Sequence, residues 1–277
     1  MSTTPDATPL DGPLAAARAA GRPALVGYLP AGYPTVGSSL SALRALSRHV
    51  DVIELGIPRV EMFTSGLHRT AHQRALEAGA TVGIALRLVR HLTAGIDVPV
   101  LVNTHWRPIA RHGVATFAAA LGASGAAGVV LPEVHPTGPA GSRWRLAAAR
   151  HRLATAFVAG ADQLAAAARA STGCVYVPGL LTPTARNIDA LTLTRRRGQV
   201  QRWAPAGMPI VVGRGITNPA QAAALATPGN GIAIGSALIQ AAESATDPSS
   251  AIEHIDLCAR RFAHALTRPA RIGGAAA

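Results

Sequence analysis

Two glycine-containing turns late in the chain, Val212-Gly213-Arg214-Gly215-Ile216-Thr217 and Ile234-Gly235-Ser236-Ala237, have the composition of an anion cradle. Glycine lets the backbone approach an anion closely, and a helix starting at Ser236 would aim its first N–H groups and positive dipole end at that anion. Either turn alone would equally serve as a plain strand-to-helix connection; the pair points to a phosphate or diphosphate held by Gly213, Arg214, Gly215, Gly235 and Ser236. Much earlier, Asp51-Val52-Ile53-Glu54-Leu55-Gly56 reads as a strand on which Glu54 shares a face with Val52 and Gly56. A carboxylate on an inward strand position is costly unless paired, hydrogen-bonded or protonated, and a raised pKa would suit a general acid or base. The competing role is structural pairing with one of the many arginines.

The elements that would position these residues alternate strand and helix from about residue 24 onward. Strands are expected at 24–28, 52–55, 98–103, 128–131, 153–158, 174–177, 209–213 and 231–235. Helical periodicity falls at 14–20, 40–46, 83–92, 114–121, 143–150, 162–170, 188–200, 219–225 and 252–266. Eight strand–helix units in about 250 residues match an α/β fold of one closed parallel barrel, the (β/α)8 TIM barrel, with an open doubly wound sheet as the alternative. The expectation is one domain over residues 1–277 with flexible termini at about 1–9 and 270–277. In such a barrel the residues after each strand line one mouth, and the corner after strands seven and eight frequently holds a phosphate.

Composition narrows the chemistry further. The 277 residues are 49% hydrophobic and carry 26 basic against 14 acidic side chains, yet not one of the basic residues is Lys. A Schiff-base lysine, a pyridoxal phosphate anchor and a phosphate loop with its Lys are therefore excluded. The two cysteines, Cys174 and Cys258, have no metal-ligand spacing, and His105 has no companion at such spacing, so no metal and no cofactor are expected. His105 itself reads as an ordinary polar loop residue. The run Arg195-Arg196-Arg197 lacks interleaved aromatics and reads as a solvated helix face, so no nucleic-acid partner is expected. With no apolar run near ~20 residues and no signal peptide, neither a membrane partner nor export is expected, and the location is read as cytoplasmic.

The string Ile53-Glu54-Leu55-Gly56-Ile57-Pro58, together with Pro30-Ala31-Gly32-Tyr33-Pro34, Leu131-Pro132-Glu133 and the two glycine turns, resembles the tryptophan synthase α subunit family from about Ala24 to Leu266. That family is a (β/α)8 barrel that cleaves indole-3-glycerol phosphate into indole and glyceraldehyde 3-phosphate without a metal, and passes indole to a β partner. The resemblance places Glu54 at the family's catalytic glutamate, Gly213, Gly235 and Ser236 at its phosphate grip, and Tyr176 at its active-site tyrosine. Asn103, Glu133 and Leu180 fall on the mouth as lining residues.

The departures define further expectations. Where the family continues F-S-D-P-L-A-D-G-P, this chain reads Arg59-Val60-Glu61-Met62-Phe63-Thr64-Ser65-Gly66-Leu67, so Ser65 stands at the second catalytic carboxylate and Glu61 is the candidate to reach in instead. A hydroxyl is a far weaker acceptor for the indole N–H than a carboxylate. The same loop helps form the family's β contact, which calls that partnership into question. Arg59, Arg107 and Arg214 each replace an uncharged family residue and would add charge at the mouth, suiting a diphosphate, although an Arg-rich, Lys-free chain also scatters arginine generally. The loop 178–184 departs from the family's S-x-x-G-V-T-G pattern and still suits a closing lid. The expectation drawn is a diverged lyase in specialised metabolism. Its alternatives are an isoprenyl diphosphate lyase or cyclase with Leu29, Met62, Phe63, Leu180 and Leu181 around the chain, or a non-catalytic homologue that binds a partner subunit.

Overall fold

The structure, a computed structural model, describes residues 8–59, 66–179, 189–205, 207–213, 215–227 and 230–267. Its eight strands are β1 (Ala24–Pro30), β2 (Val52–Gly56), β3 (Val100–Asn103), β4 (Gly128–Leu131), β5 (Ala154–Phe157), β6 (Val175–Pro178), β7 (Ile210–Gly213) and β8 (Asn230–Ile234). All pairings are parallel, in the order β5-β4-β3-β2-β1-β8-β7-β6, and the bridge between Val158 and Tyr176 brings the two end strands together. The result is the (β/α)8 barrel the rhythm predicts, and every expected strand is present within two residues of its expected ends.

Around it, among the described residues, lie α1 (Asp11–Ala19), α2 (Ser39–Ser47), α3 (Leu67–Glu77), α4 (Val82–Thr93), α5 (Trp106–His112), α6 (Val114–Ala123), α7 (Pro139–Ala149), α8 (Leu164–Ala170), α9 (Ala190–Trp203), α10 (Pro219–Ala224), α11 (Ser236–Glu243) and α12 (Pro248–Thr267). Strand alternation sorts the side chains into two cores. Leu25, Ile53, Leu55, Val102, Val129, Val175, Val212 and Ile232 join the helices in the outer core. Val26, Val52, Leu101, Val130, Ala154, Ala156, Cys174, Tyr176, Val211 and Ala233 fill the barrel interior. Small residues dominate that inner set, which leaves room above it at the mouth.

Three helices have no counterpart in the periodic segments: α11, which the turn at Gly235-Ser236 predicts, and α3 and α5, which nothing in the sequence announces. The apolar stripe of α3 is only Leu67, Ala71 and Ala75, too narrow among its His, Arg and Gln neighbours to stand out. In α5, Pro108 falls in the first turn, where a missing N–H costs no helical hydrogen bond, so the proline does not break the helix. The Arg195–Arg197 run lies on the outer helix α9, as expected. The expected flexible termini fall almost wholly outside the described residues, as does most of the loop 178–184 expected to serve as a lid. No helix among the described residues is long and apolar enough to cross a membrane.

Candidate active site

Glu54 points into the barrel, as its place on β2 requires, and is 4% exposed. Asn103, from β3, donates its Nδ2–H to Glu54 Oε1 at 2.6 Å, and Tyr176, from β6, donates its hydroxyl to Oε2 at 2.8 Å. Both donors come from neighbouring or facing strands, so closure of the barrel is what assembles the triad. Burial and the nearby Glu54 carboxylate raise the Tyr176 phenol well above its ordinary range, which keeps it a neutral donor. Each carboxylate oxygen thus accepts a hydrogen bond, which offsets the cost of burying a carboxylate on an inward position.

The three side chains border a cavity of about 100 Å³ at the barrel mouth. The same cavity is lined by Gly213, Gly215, Ile216, Ala233, Gly235 and Ser236, so the two glycine turns and Glu54 open onto one space. Gly235 is the N-cap of α11, whose first turn carries no acidic residue. A Cβ there would sit 2.9 Å from Tyr28 Cδ1 and 3.1 Å from His68 Cε1, so glycine is needed for the packing as well as for anion approach.

Tyr28, His68 and His72 also line the cavity, and none of them stood out in the sequence. Tyr28 lies beside Glu54 in the β1–β2 register, and its hydroxyl is 2.6 Å from His72 Nε2. The Arg59 backbone N–H donates to His72 Nδ1 at 3.2 Å, which places the proton of the neutral ring on Nε2 and makes His72 the donor to Tyr28. Burial, followed by the charges of His68 and Arg59, pushes His72 down to about 3 from its ordinary 6.5. Between those two values the unfolded chain binds a proton that the folded chain refuses, so folding stability falls as pH drops through that window, by up to about 4 kcal/mol at its acid end. Thermal melts from pH 7 to pH 3.5 should show this acid limb, and His72→Gln should flatten it. An identical limb in the variant would remove His72 as its source.

Glu133 is exposed and does not line the cavity: its Oε1 accepts the Trp106 backbone N–H at 2.8 Å at the start of α5, and its Oε2 is 3.6 Å from His105 Nε2. Burial raises its pKa, against the Trp106 hydrogen bond. Expected as a lining residue, Glu133 instead supports the N-terminus of α5 and His105. His105, expected as an ordinary loop residue, is 6% exposed and does line the cavity.

The arginine cluster expected at the mouth is not assembled there among the described residues. Arg107 is exposed on α5, because Trp106 and Ile109 take the inward positions of that turn. Arg59 is half-buried beside His72 but is not on the cavity wall. Leu29 packs into the outer core, since it has the opposite strand parity to Tyr28. Glu61, Met62, Phe63, Ser65, Leu180, Leu181 and Arg214 lie outside the described residues. Among the described residues no three His, Cys, Asp or Glu side chains converge in a way that could hold a metal ion.

Comparison with known proteins decides the family. The family model for the tryptophan synthase alpha chain matches residues 14–267. The tryptophan synthase alpha chain of Streptomyces avermitilis is 36% identical over 260 residues, covering 90% of this chain and 91% of the relative. The chain belongs to the tryptophan synthase alpha chain family. That of Thermobifida fusca is 34% identical over 266 residues, covering 93% of this chain and 97% of the relative. A crystal structure of tryptophan synthase from M. tuberculosis, in an open form with BRD0059 bound, superposes with a TM-score of 0.80 at 29% identity, covering 95% of this chain and all of that one. Within this alpha chain barrel, what sequence reasoning missed is the α3 wall. The four-residue spacing of His68 and His72, in step with Leu67, Ala71 and Ala75, is the signal that would have found it.

Proposed function

We propose that this chain is a lyase that cleaves indole-3-glycerol phosphate to indole and glyceraldehyde 3-phosphate. The observation that carries the reading is Glu54, buried at the cavity wall, held by Asn103 and Tyr176 and lining the same space as Gly213 and Gly235. The phosphate would lie against those corners and the first turn of α11, which leaves the ring and the glycerol carbons toward Glu54. Cleavage breaks the bond between the ring carbon and the hydroxyl-bearing side-chain carbon. The ring carbon gains a proton, the hydroxyl loses one, and that carbon becomes the aldehyde of the triose phosphate. Glu54 is the group placed to deliver and remove these protons, with Asn103 and Tyr176 fixing its orientation.

The similarity to curated alpha chains over about nine-tenths of their length supports this inherited reaction over a specialised role. The isoprenyl diphosphate reading loses support because Leu29 faces the helices and Arg107 faces solvent. A β partner belongs to the same proposal, supported by similar structures that are of tryptophan synthase itself. So does a cytoplasmic location. The test is direct: purified chain supplied with indole-3-glycerol phosphate should release indole and triose phosphate in equal amounts, and should leave a prenyl diphosphate unchanged. Turnover of the prenyl compound without indole release would overturn the reading.

A further inference from the structure

The helix α3 brings a histidine to the phosphate corner. His68 lies in its first turn, two residues after the N-cap Gly66, whose φ is 91°. Its Nε2 is 3.0 Å from Ser236 Oγ, its Cε1 borders the position a Gly235 Cβ would take, and its ring packs against Tyr28 with centroids 5.5 Å apart. Lower down, Arg74 of α3 pairs with Glu243 of α11 at 2.9 Å, and Glu243 also accepts the Tyr33 hydroxyl at 2.8 Å. From His68 to Arg74 the helix rises about 9 Å and from Ser236 to Glu243 about 10.5 Å. The two helices therefore stand side by side as parallel posts joined by two rungs, His68–Ser236 at the mouth and Arg74–Glu243 below.

We infer that His68 is a positioning residue for phosphate: its Nε2–H donates to Ser236 Oγ and so commits the serine hydroxyl proton to the anion, while the imidazole edge closes the corner between α3 and α11. The inference rests on the proposal that this corner holds the substrate phosphate. A serine hydroxyl has one proton, and it can be donated outward only if the hydrogen bond from the protein side is one that the oxygen accepts. A side chain with a fixed N–H at that side selects the useful orientation, whereas an apolar residue would leave the hydroxyl free to rotate.

The test is calorimetric titration of the full chain with inorganic phosphate and with indole-3-glycerol phosphate, on wild type, His68→Leu, His68→Gln, Ser236→Ala and the His68→Leu/Ser236→Ala double variant. A hydrogen bond that serves an anion predicts about tenfold weaker phosphate binding for His68→Leu. His68→Gln, which keeps an N–H donor, should recover most of the loss. The double variant should bind no more weakly than Ser236→Ala alone, because the histidine acts through the serine. In turnover the same His68→Leu change should raise KM with little effect on kcat. Phosphate binding at the wild-type level in both His68 variants, or losses that simply add in the double variant, would overturn the inference. If wild type binds phosphate but Gly235→Asp does not weaken it, the corner itself is misassigned, and the inference falls together with the proposed site. If Gly235→Asp abolishes binding while His68→Leu does not, only the histidine's role is lost.

Discussion

Glu54→Gln is expected to lower kcat for indole release by roughly 10²–10⁴-fold, the range for losing a general acid–base group, with KM changed only a few-fold. The geometry explains why so conservative a change should be so damaging and yet leave the fold intact. Asn103 and Tyr176 both donate to the carboxylate. A glutamine can keep its Oε1 toward Asn103 and turn its amide N–H₂ to Tyr176, whose oxygen accepts while its O–H loses the carboxylate acceptor and turns to the cavity, so the exchange weakens one hydrogen bond and leaves the packing in place. The variant should therefore melt close to wild type and still bind phosphate, while an amide cannot take or return the proton that cleavage requires. Steady-state indole release and a melting curve together check this. A variant that keeps kcat within tenfold would remove Glu54 from the chemistry, and one that unfolds would mean the amide cannot replace the hydrogen-bonding pattern at that position.

Glu54 was legible in the sequence because strand alternation is a strict period of two: with Ile53 and Leu55 apolar and facing helices, Glu54 had to face the axis. The eight strands were legible for a related reason, since β-branched runs buried on both faces have few other places to go. Helix α3 was not, because its inward face is made of two alanines and a histidine that also reads as polar surface. His72 and Tyr28 stayed hidden along with it. Their pairing spans 44 residues and depends on two elements meeting at the mouth, a contact that no local pattern encodes. Arg59 and Arg107 pose a different difficulty. Residue type suggested a charged mouth, but neither lines the cavity, and periodicity over the seven residues of α5 is too brief to reveal that Arg107 is exposed while Ile109 is buried. Glu133 shows the same limit: its place after β4 suggested the mouth, whereas its carboxylate accepts the Trp106 N–H at the start of α5.

Gly235→Asp should weaken phosphate binding and raise KM by roughly 10²–10³-fold, the effect of about 4 kcal/mol that a like charge near 4 Å exerts at a partly shielded site. Two separable costs act at this position. The added Cβ meets Tyr28 Cδ1 at 2.9 Å, and that ring cannot swing away cheaply because its hydroxyl is bonded to His72; the next contact is His68 Cε1 at 3.1 Å, on the ring packed against Tyr28. The carboxylate then occupies the space in front of the first turn of α11, where the substrate phosphate would sit. Helix formation itself should not suffer, since aspartate is among the preferred N-cap residues and its charge suits the helix dipole. The variant should accordingly fold with α11 intact; the clash with Tyr28 lowers the melting temperature to the same extent as any side chain of that bulk, whereas the charge appears in phosphate binding alone. Gly235→Asn supplies the control: it brings the same bulk and the same capping ability without the charge. If the corner is an anion site, asparagine should lose only the steric part, on the order of tenfold, and the gap between the two variants should narrow as ionic strength rises. Equal losses for asparagine and aspartate at all salt concentrations would show that the glycine is required for packing against Tyr28 alone, and that the anion binds elsewhere on the barrel.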